Sequence, residues 1–256
     1  MNDTCNALRD KLARGDTVAG IWAGIPHPQV AGAMAAAGLD FVILDCEHGG
    51  WDFATLEGAI GAVESHAATA LVRAPGPDAF FIQRALDLGA DGILVPQVPD
   101  ADAAGRAVAM AHFAPDGTRG YNPFTRGGRY GLAPQPKLAR GYPFTGVLIE
   151  SPAAAAHVEA IARLPQLDLV YLGVYDYSVA LGIPGQVDDR RVLAFVERAA
   201  ATVRAAGKAV GTTATSPAQV ERLQRYGVNV LLYGADTWVI TQGIAAGLRL
   251  YGRVPR

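Results

Sequence analysis

The chain has few of the features that mark disulfide-rich, membrane-spanning or nucleic-acid-binding proteins. Its only two cysteines, Cys5 and Cys46, provide neither a disulfide framework nor the spacing of a zinc site. No apolar run reaches the roughly 18 residues that a membrane helix needs, and residues 1–16 predict a polar helix rather than a signal peptide. A net charge of −2 gives no basis for attraction to nucleic acid or to an acidic membrane. We therefore expect a cytoplasmic protein without membrane or nucleic-acid partners.

Apolar residues are abundant and are arranged periodically: half of the 256 residues are hydrophobic and 18% are charged. Short apolar runs, typical of buried parallel strands, alternate with stretches of helical period. The predicted strands are 18–24, 41–47, 69–74, 92–98, 146–151, 169–175, 209–213 and 229–233. The predicted helices are 27–37, 53–65, 79–88, 101–111, 153–164, 189–206, 217–226 and 237–250. Eight evenly spaced units in this length favour a single-domain (β/α)8 TIM barrel of the α/β class, covering 1–256, over a long open sheet.

One connection breaks this regularity. Residues 112–145 are rich in glycine, proline, arginine and aromatic residues, and long loops inside compact domains are usually functional. We expect this segment to be an active-site loop that folds over the barrel mouth, where Arg119, Arg126 and Arg129 would present their guanidinium groups. The alternative is a solvated cover that docks on a neighbouring subunit.

Ionisable residues follow the second and third predicted strands. Active sites of such barrels lie at the carboxyl ends of the strands, where Asp45, Glu47 and His48 follow strand two and Arg73 follows strand three. An aspartate near a histidine can fix the imidazole tautomer and raise its basicity. Arg73 suits a carboxylate or enolate oxygen; a salt bridge to Asp45 or Glu47 is an alternative use, and both can hold together. The alternative for the whole group is a loop of solvated charges.

Two further carboxylates, Glu150 and Asp176, follow the fifth and sixth predicted strands. If they point at one spot, they would repel each other without a cation. With water and a chelating substrate they complete an oxygen shell for Mg²⁺ or Mn²⁺; Co²⁺ and Zn²⁺ are further candidates, although no histidine cluster favours zinc. The alternative is that both residues cap the helices that follow.

Together these motifs resemble the HpcH/HpaI family of metal-dependent class II pyruvate aldolases. Members act on compounds such as 4-hydroxy-2-oxoheptanedioate and 2-keto-3-deoxy sugar acids. The likeness runs from about Gly20 to Leu248. The motifs that carry it are Asp45-x-Glu47-His48, Leu71-Val72-Arg73, Val95-Pro96-Gln97, Gly117-Thr118-Arg119-Gly120, Ile149-Glu150-Ser151 and Gly173-x-x-Asp176-x-Ser178.

The resemblance implies a phosphoenolpyruvate/pyruvate-type barrel and a homo-oligomer, usually a hexamer with an exchanged C-terminal helix. It implies that Glu150 and Asp176 hold one divalent metal ion. Arg73 would bind the substrate's keto oxygen, and His48 would be a catalytic acid/base supported by Asp45. Glu47 is expected on the substrate side of this site.

The chain departs from the family pattern beside the metal residues. Many of the aldolases have glutamine where this chain has Leu148, and they commonly have Gly-Pro-x-Asp-Leu-Ser where Val174 and Tyr175 occur here. These three residues are expected to line the pyruvate side of the substrate pocket, so they bear on the substrate more than on the metal.

The resulting hypothesis is a carbon–carbon lyase that acts on a small oxo acid. It would cleave or form 4-hydroxy-2-oxo acids through a pyruvate enolate, releasing pyruvate and an aldehyde. The alternatives are a citrate-synthase-like condensation of oxaloacetate with an acetyl donor, another acyl lyase on the same metal site, and a barrel that binds a ligand without catalysis. A Schiff base is not expected, because none of the three lysines (Lys11, Lys137 and Lys208) is placed to form one.

Overall fold

The apolar runs form parallel strands that pair in sequence order, and the last strand pairs with the first to close a barrel. The computed structural model describes residues 4–132 and 143–253 of the chain. The strands are β1 (Val18–Ala23), β2 (Phe41–Asp45), β3 (Thr69–Arg73), β4 (Gly92–Val95), β5 (Phe144–Ile149), β6 (Leu169–Leu172), β7 (Ala209–Thr213) and β8 (Val230–Ala235). The prediction of a (β/α)8 barrel is confirmed.

Helices cover the outside of the barrel and one end of it. They are α1 (Thr4–Ala13), α2 (Pro28–Ala36), α3 (Phe53–Glu64), α4 (Ala79–Asp87), α5 (Ala101–Ala111), α6 (Pro152–Ala155), α7 (Val158–Ala162), α8 (Val174–Ala180), α9 (Arg190–Ala205), α10 (Pro217–Arg225) and α11 (Asp236–Leu250). Asp78, Asp100 and Ser216 are the N-caps of α4, α5 and α10, since each side chain accepts a backbone hydrogen bond in the first turn. Among the helices described here, none is both long and apolar enough to cross a membrane.

Six of the predicted strands run past the observed carboxyl ends, and the error is largest, three residues, in strands four and six. Strand β4 stops at Val95, because Pro96 has no N–H group to continue the ladder. Strand β6 stops at Leu172, and the residues from Val174 onward form helix α8. A short apolar run cannot by itself distinguish a strand from the start of a buried helix. The predicted helix 153–164 is also two short helices, α6 and α7.

The barrel interior is filled by inward-facing side chains, because residues alternate between the two faces of each strand. Phe41 and Phe144 are among the largest of them and are fully buried. They fit because glycines face them: a Cβ atom on Gly20 would lie 2.2 Å from the ring of Phe41, and one on Gly92 would lie 2.2 Å from the carbonyl oxygen of Phe144. A second apolar layer packs between the barrel and the outer helices.

Helix α1 closes the end of the barrel at which the strands begin. Its Cys5 and Leu8 belong to the cluster of side chains inside the barrel. The helix is held there by polar contacts as well, since Thr4 donates to Asp91 at 2.8 Å and Arg9 makes two 2.9 Å hydrogen bonds with Asp168. The other end of the barrel is the mouth, where the strands end.

The segment after α5 lies at the closed end, not at the mouth. Arg119 pairs with Asp87 at the end of α4 at 2.7 Å, and Arg126 pairs with Glu64 at the end of α3 at 2.5 Å. The helices run opposite to the strands, so a connection from a helix end to the next strand starts away from the mouth. The described residues 112–132 therefore do not place these arginines over the mouth of their own barrel. The expectation of an active-site loop is wrong for this part of a single chain. Arg129 lies in the same segment, in the short 3₁₀ turn Arg129–Gly131. Residues 133–142, with Lys137, lie outside the described residues.

A buried histidine at the end of α5 makes stability depend on pH. His112 is fully buried, and its Nε2 atom lies 3.0 Å from the hydroxyl of Thr145. Burial lowers the pKa of His112 from 6.5 to about 4. The folded-state pKa lies below that of the unfolded chain, so this group's contribution is complete above pH 6.5 and is lost as the pH falls towards 4.

We expect the His112→Asn variant to lose less stability than the wild type between pH 7 and pH 5. The difference should be about 2 kcal/mol, because protonation favours the unfolded chain only when the histidine is present. Urea unfolding at both pH values measures it. Equal losses in the two proteins would contradict the assignment.

Candidate active site at the barrel mouth

The site is organised around Arg73, the last residue of β3. Its Nε and Nη2 atoms donate to the two oxygens of Asp45 at 2.8 and 2.6 Å, and Nη1 lies 2.9 Å from Glu47 Oε2. Arg73 and Asp45 are paired in register on neighbouring strands, and both are buried. The ring of Trp22 lies 4.3 Å from the guanidinium carbon. The orientation of the guanidinium group is therefore fixed on two edges and one face.

Arg73 remains charged in this position. Burial alone would lower its pKa, but the hydrogen bonds that Arg73 donates to Asp45 and the charges of Asp45 and Glu47 outweigh burial and raise it. The salt bridge considered as an alternative use of Arg73 is thus present, and it involves both carboxylates.

His48 is placed differently from the expectation that Asp45 orients its ring. Asp45 Oδ1 accepts the backbone N–H groups of Glu47 and His48 at 3.1 and 3.3 Å, and both Asp45 oxygens also accept from Arg73. The imidazole side chain is 68% exposed, and its Nε2 lies 3.9 Å from Glu47 Oε2. The carboxylate beside the imidazole is therefore that of Glu47. Asp45 binds Arg73 instead, because charge-assisted hydrogen bonds are stronger.

Glu150 follows β5 and is held from the end of β4. Its Oε1 atom accepts the backbone N–H of Gln97 at 2.7 Å. The side-chain amide of Gln97 donates to Glu47 Oε1 at 3.0 Å, so one residue contacts both carboxylates. Space for Glu150 depends on Gly173, where a Cβ atom would lie 2.9 Å from the Cβ of Glu150.

Asp176 contributes a fourth carboxylate to the mouth. It lies in the first turn of α8 rather than just after a strand, and it is exposed. Burial is the main cause that raises the pKa of Glu150, and the charges of Glu47 and Asp176 raise it further. Glu150 and Asp176 therefore interact electrostatically, as expected for residues at neighbouring strand ends.

The residues at the mouth have the chemistry of a divalent-cation site. Four carboxylates lie at the mouth: Asp45 and Glu47 contact the guanidinium of Arg73, and Glu150 interacts with the charges of Glu47, Asp176 and Arg73. Such an excess of negative charge is unfavourable unless a cation offsets it, and hard oxygen ligands suit Mg²⁺ or Mn²⁺. In residues 4–132 and 143–253, three or more His, Cys, Asp or Glu side chains are nowhere grouped to hold a metal ion. The arrangement fits two protein ligands, with water and substrate completing the shell.

The three residues expected on the pyruvate side are not together. Leu148 is buried among the side chains inside the barrel, below Glu150. Val174 begins α8, and its side chain is buried in the layer between the barrel and the outer helices. Tyr175 is 51% exposed.

Several residues of the site were not predicted from the sequence. Trp22 packs edge-to-face on Tyr171, with ring centroids 5.3 Å apart, and the hydroxyl of Tyr171 lies 2.7 Å from that of Thr213. Burial raises the pKa of Tyr171 to about 12, so its phenol keeps its proton. Trp22 lies on the inward face of β1, as Gly20 does. The alternation of inward and outward residues along that strand could therefore have indicated Trp22. Gln97 was named only as part of the motif Val95-Pro96-Gln97, without a role, because strand four was predicted to continue through it.

Comparisons with known proteins agree with the barrel fold. The model of a family described as HpcH/HpaI aldolase/citrate lyase matches residues 19–242. A pyruvate aldolase of Rhizobium etli is 31% identical over 94% of this chain and 95% of its own length. The crystal structure of an HpcH/HpaI aldolase/citrate lyase family protein from Burkholderia cenocepacia superposes with a TM-score of 0.91, at 26% identity, over 97% of this chain and all of that one. Citrate synthase SbnG superposes with a TM-score of 0.86, at 30% identity, over 96% of this chain and 97% of its own.

We expect the Arg73→Met variant to lose about 3–5 kcal/mol of stability, because it leaves the buried carboxylates of Asp45 and Glu47 without their cation. The control is Arg14→Met, which removes an ion pair between exposed side chains, with Asp16 at 2.9 Å, and should change stability by less than about 1 kcal/mol. Urea unfolding in metal-free buffer measures both. A loss in Arg73→Met no larger than in the control would be inconsistent with this account of the ion pairs.

Proposed function

Because this chain belongs to the HpcH/HpaI aldolase/citrate lyase family, we propose that it is a divalent-metal-dependent aldolase. It cleaves or forms 4-hydroxy-2-oxo acids, and its cleavage products are pyruvate and an aldehyde. The observation that carries the proposal is the charged group at the barrel mouth, in which Asp45 and Glu47 hold Arg73, and Glu150 interacts with the charges of Glu47 and Asp176. A pyruvate aldolase of nearly the same length, 31% identical, supports pyruvate as a product.

We assign the metal ligands to Glu150 and Asp176, with Mg²⁺ or Mn²⁺ as the preferred ion and Co²⁺ or Zn²⁺ as alternatives. When bound, the cation supplies Lewis-acid stabilisation of the negative charge that develops on the substrate during the reaction. Glu150 is positioned for this role before any ion binds, since the N–H of Gln97 already holds one of its oxygens.

Arg73 binds the keto oxygen of the substrate in this proposal. A guanidinium has five N–H donors, and three of its nitrogens are engaged by Asp45 and Glu47 through one contact each. The remaining N–H groups on Nη1 and Nη2 are available for an oxygen that becomes negative in the transition state. Because the ion pairs fix their direction beforehand, the donors need no reorganisation when the charge develops.

His48 acts as the general acid and base. In the cleavage direction its imidazole takes the proton of the C4 hydroxyl, the C3–C4 bond breaks, and the aldehyde carbonyl forms. The electron pair of that bond passes into the pyruvate enolate, which is then protonated at C3. Glu47, 3.9 Å from the imidazole, would stabilise the protonated ring.

The described lysines lie away from this chemistry. Lys11 forms an ion pair with Asp40 at the closed end of the barrel, and Lys208 donates to the carbonyl of Pro165 at 3.0 Å. Neither lies beside Arg73, so neither of these two lysines is placed to form an imine there.

A second candidate is a citrate-synthase-like condensation of oxaloacetate with an acetyl donor on the same site. It is favoured by the likeness to citrate synthase SbnG, at 30% identity over nearly the whole of both chains. Pyruvate release from hydroxy-oxo acids, measured beside citrate formation from oxaloacetate and acetyl-CoA, separates the two.

We also propose that the chain forms a homo-oligomer, a hexamer by family resemblance, through its C-terminal helix. Helix α11 and the residue after it expose Ile240, Ile244, Leu250 and Tyr251. Single exposed apolar residues are common, but a row of them along one helix indicates a covered face. Light scattering gives the subunit number, and Ile244→Asp should lower it if this helix is the contact.

We expect Glu150→Gln and Asp176→Asn to lose Mn²⁺ binding and pyruvate release together. The control is Glu159→Gln, whose exposed side chain pairs with Arg163 and should leave both unchanged. Electron paramagnetic resonance of free Mn²⁺ measures binding, and a coupled lactate dehydrogenase assay measures pyruvate. EDTA should abolish turnover and added Mg²⁺, Mn²⁺ or Co²⁺ should restore it; a chelator-insensitive wild type would exclude the metal-dependent reaction.

Borohydride reduction in the presence of pyruvate should leave the mass of the intact protein unchanged. The proposed reaction forms no covalent bond between a lysine and the substrate. Intact-protein mass spectrometry detects an adduct directly, and a trapped lysine would replace this mechanism with an imine mechanism.

A further inference from the structure

We propose that Gln97 is a positioning residue that holds Glu47 and Glu150 at fixed places beside Arg73, and that loss of its side-chain amide slows catalysis without weakening metal binding. The inference rests on the proposed function, because it assigns a role in that same site. It concerns a residue outside the set of catalytic and metal-binding residues assigned above.

The first observation is the backbone of Gln97. This residue has φ of 60°, in the left-handed region that residues other than glycine rarely adopt. Such conformations persist where the surrounding structure imposes them, and they are concentrated at functional sites. Here the imposing neighbours are Pro96, which ends β4, and Val98, which is buried in the core. In this conformation the N–H of Gln97 contacts Glu150 Oε1 at 2.7 Å.

The second observation is that the side chain of Gln97 reaches a different carboxylate. Its Nε2 donates to Glu47 Oε1 at 3.0 Å. The other oxygen of Glu47 is buried and lies 2.9 Å from Arg73 without the alignment of a hydrogen bond. The amide of Gln97 therefore provides directional control of Glu47 that the ion pair with Arg73 does not.

The charge of this donor is as important as its position. Glu47 and Glu150 repel each other, so a positively charged partner would stabilise both carboxylates. A lysine or arginine at position 97 would compete with the divalent cation for these carboxylates. A neutral amide and a neutral peptide N–H hold them while leaving their charge for the cation.

Loss of the Gln97 amide would affect the reacting groups through Glu47. This carboxylate contacts Arg73, which binds the keto oxygen, and lies 3.9 Å from the imidazole of His48. If Glu47 is released, the two groups on either side of the breaking bond lose their shared neighbour. Small misplacements of positioned groups commonly cost one or two orders of magnitude in rate.

Three variants at position 97 separate a positioning role from a structural one. Gln97→Met keeps the length of the side chain and removes the donor, while its backbone N–H still holds Glu150. We expect kcat to fall about tenfold, with the Mn²⁺ dissociation constant unchanged within about threefold. Gln97→Gly removes the side chain and relieves the left-handed backbone, so it should lose kcat equally while its melting temperature stays the same or rises.

We expect Gln97→Glu to change Mn²⁺ affinity and kcat in opposite directions. It keeps the shape of the side chain but replaces the donor with a negative charge. The added charge should tighten Mn²⁺ binding, measured by paramagnetic resonance without substrate, while repulsion of Glu47 lowers kcat more than in Gln97→Met. The controls are Gln224→Met and Gln224→Glu, because Gln224 makes a comparable 3.2 Å amide contact with Thr17 on the exposed surface.

The outcomes distinguish this inference from the proposed function. A wild type that binds no Mn²⁺ and releases no pyruvate refutes the proposed function itself. A working wild type together with Gln97→Met and Gln97→Gly variants whose kcat stays within twofold would overturn the role of Gln97. So would a kcat loss in Gln97→Met that Gln97→Gly restores, because activity would then follow backbone strain and not the amide.

Discussion

The structure of the mouth depends on one buried set of ion pairs, in which Arg73 is held by Asp45 and Glu47. Each partner would be costly to bury alone, and each is acceptable only because the others are present. The arginine is fixed on its remaining face by Trp22. Everything else at the mouth is placed relative to this group: His48 through the turn that Asp45 caps, and Glu150 through the contact of Gln97 with Glu47.

The barrel makes this arrangement possible because its apolar core and its charged residues lie at different levels. Side chains such as Phe41 and Phe144 fill the lower interior, opposite glycines that leave room for them. Only the last inward-facing position of each strand meets the mouth, and there Arg73 follows Leu71 on β3 as Glu150 follows Leu148 beyond β5. The apolar layers below them hold the charged groups at a depth where water screens them weakly.

The sequence alone was enough for the barrel, its strands and most of the charged residues of the site. Apolar periodicity located all eight strands, and charged residues just after Leu44, Val72 and Ile149 stood out because buried strands rarely end in them. It was not enough where one residue has competing partners: the salt bridge of Arg73 with Asp45 was one of two uses considered for Arg73, and in the structure Asp45 binds Arg73 rather than the ring of His48. Gln97 belonged to a motif of the resemblance but was given no role, since its importance comes from contacts with two residues about fifty positions away on either side.

The packed interior of the barrel, closed below by α1, also governs how molecules enter and leave. Cys5 and Leu8 fill the end where the strands begin, so traffic passes through the mouth. In the proposed reaction, the pyruvate fragment sits deepest, against Arg73, and the aldehyde lies between it and the solvent. The two products therefore depart in a compulsory order, aldehyde before pyruvate, and in the synthetic direction the oxo acid must arrive first.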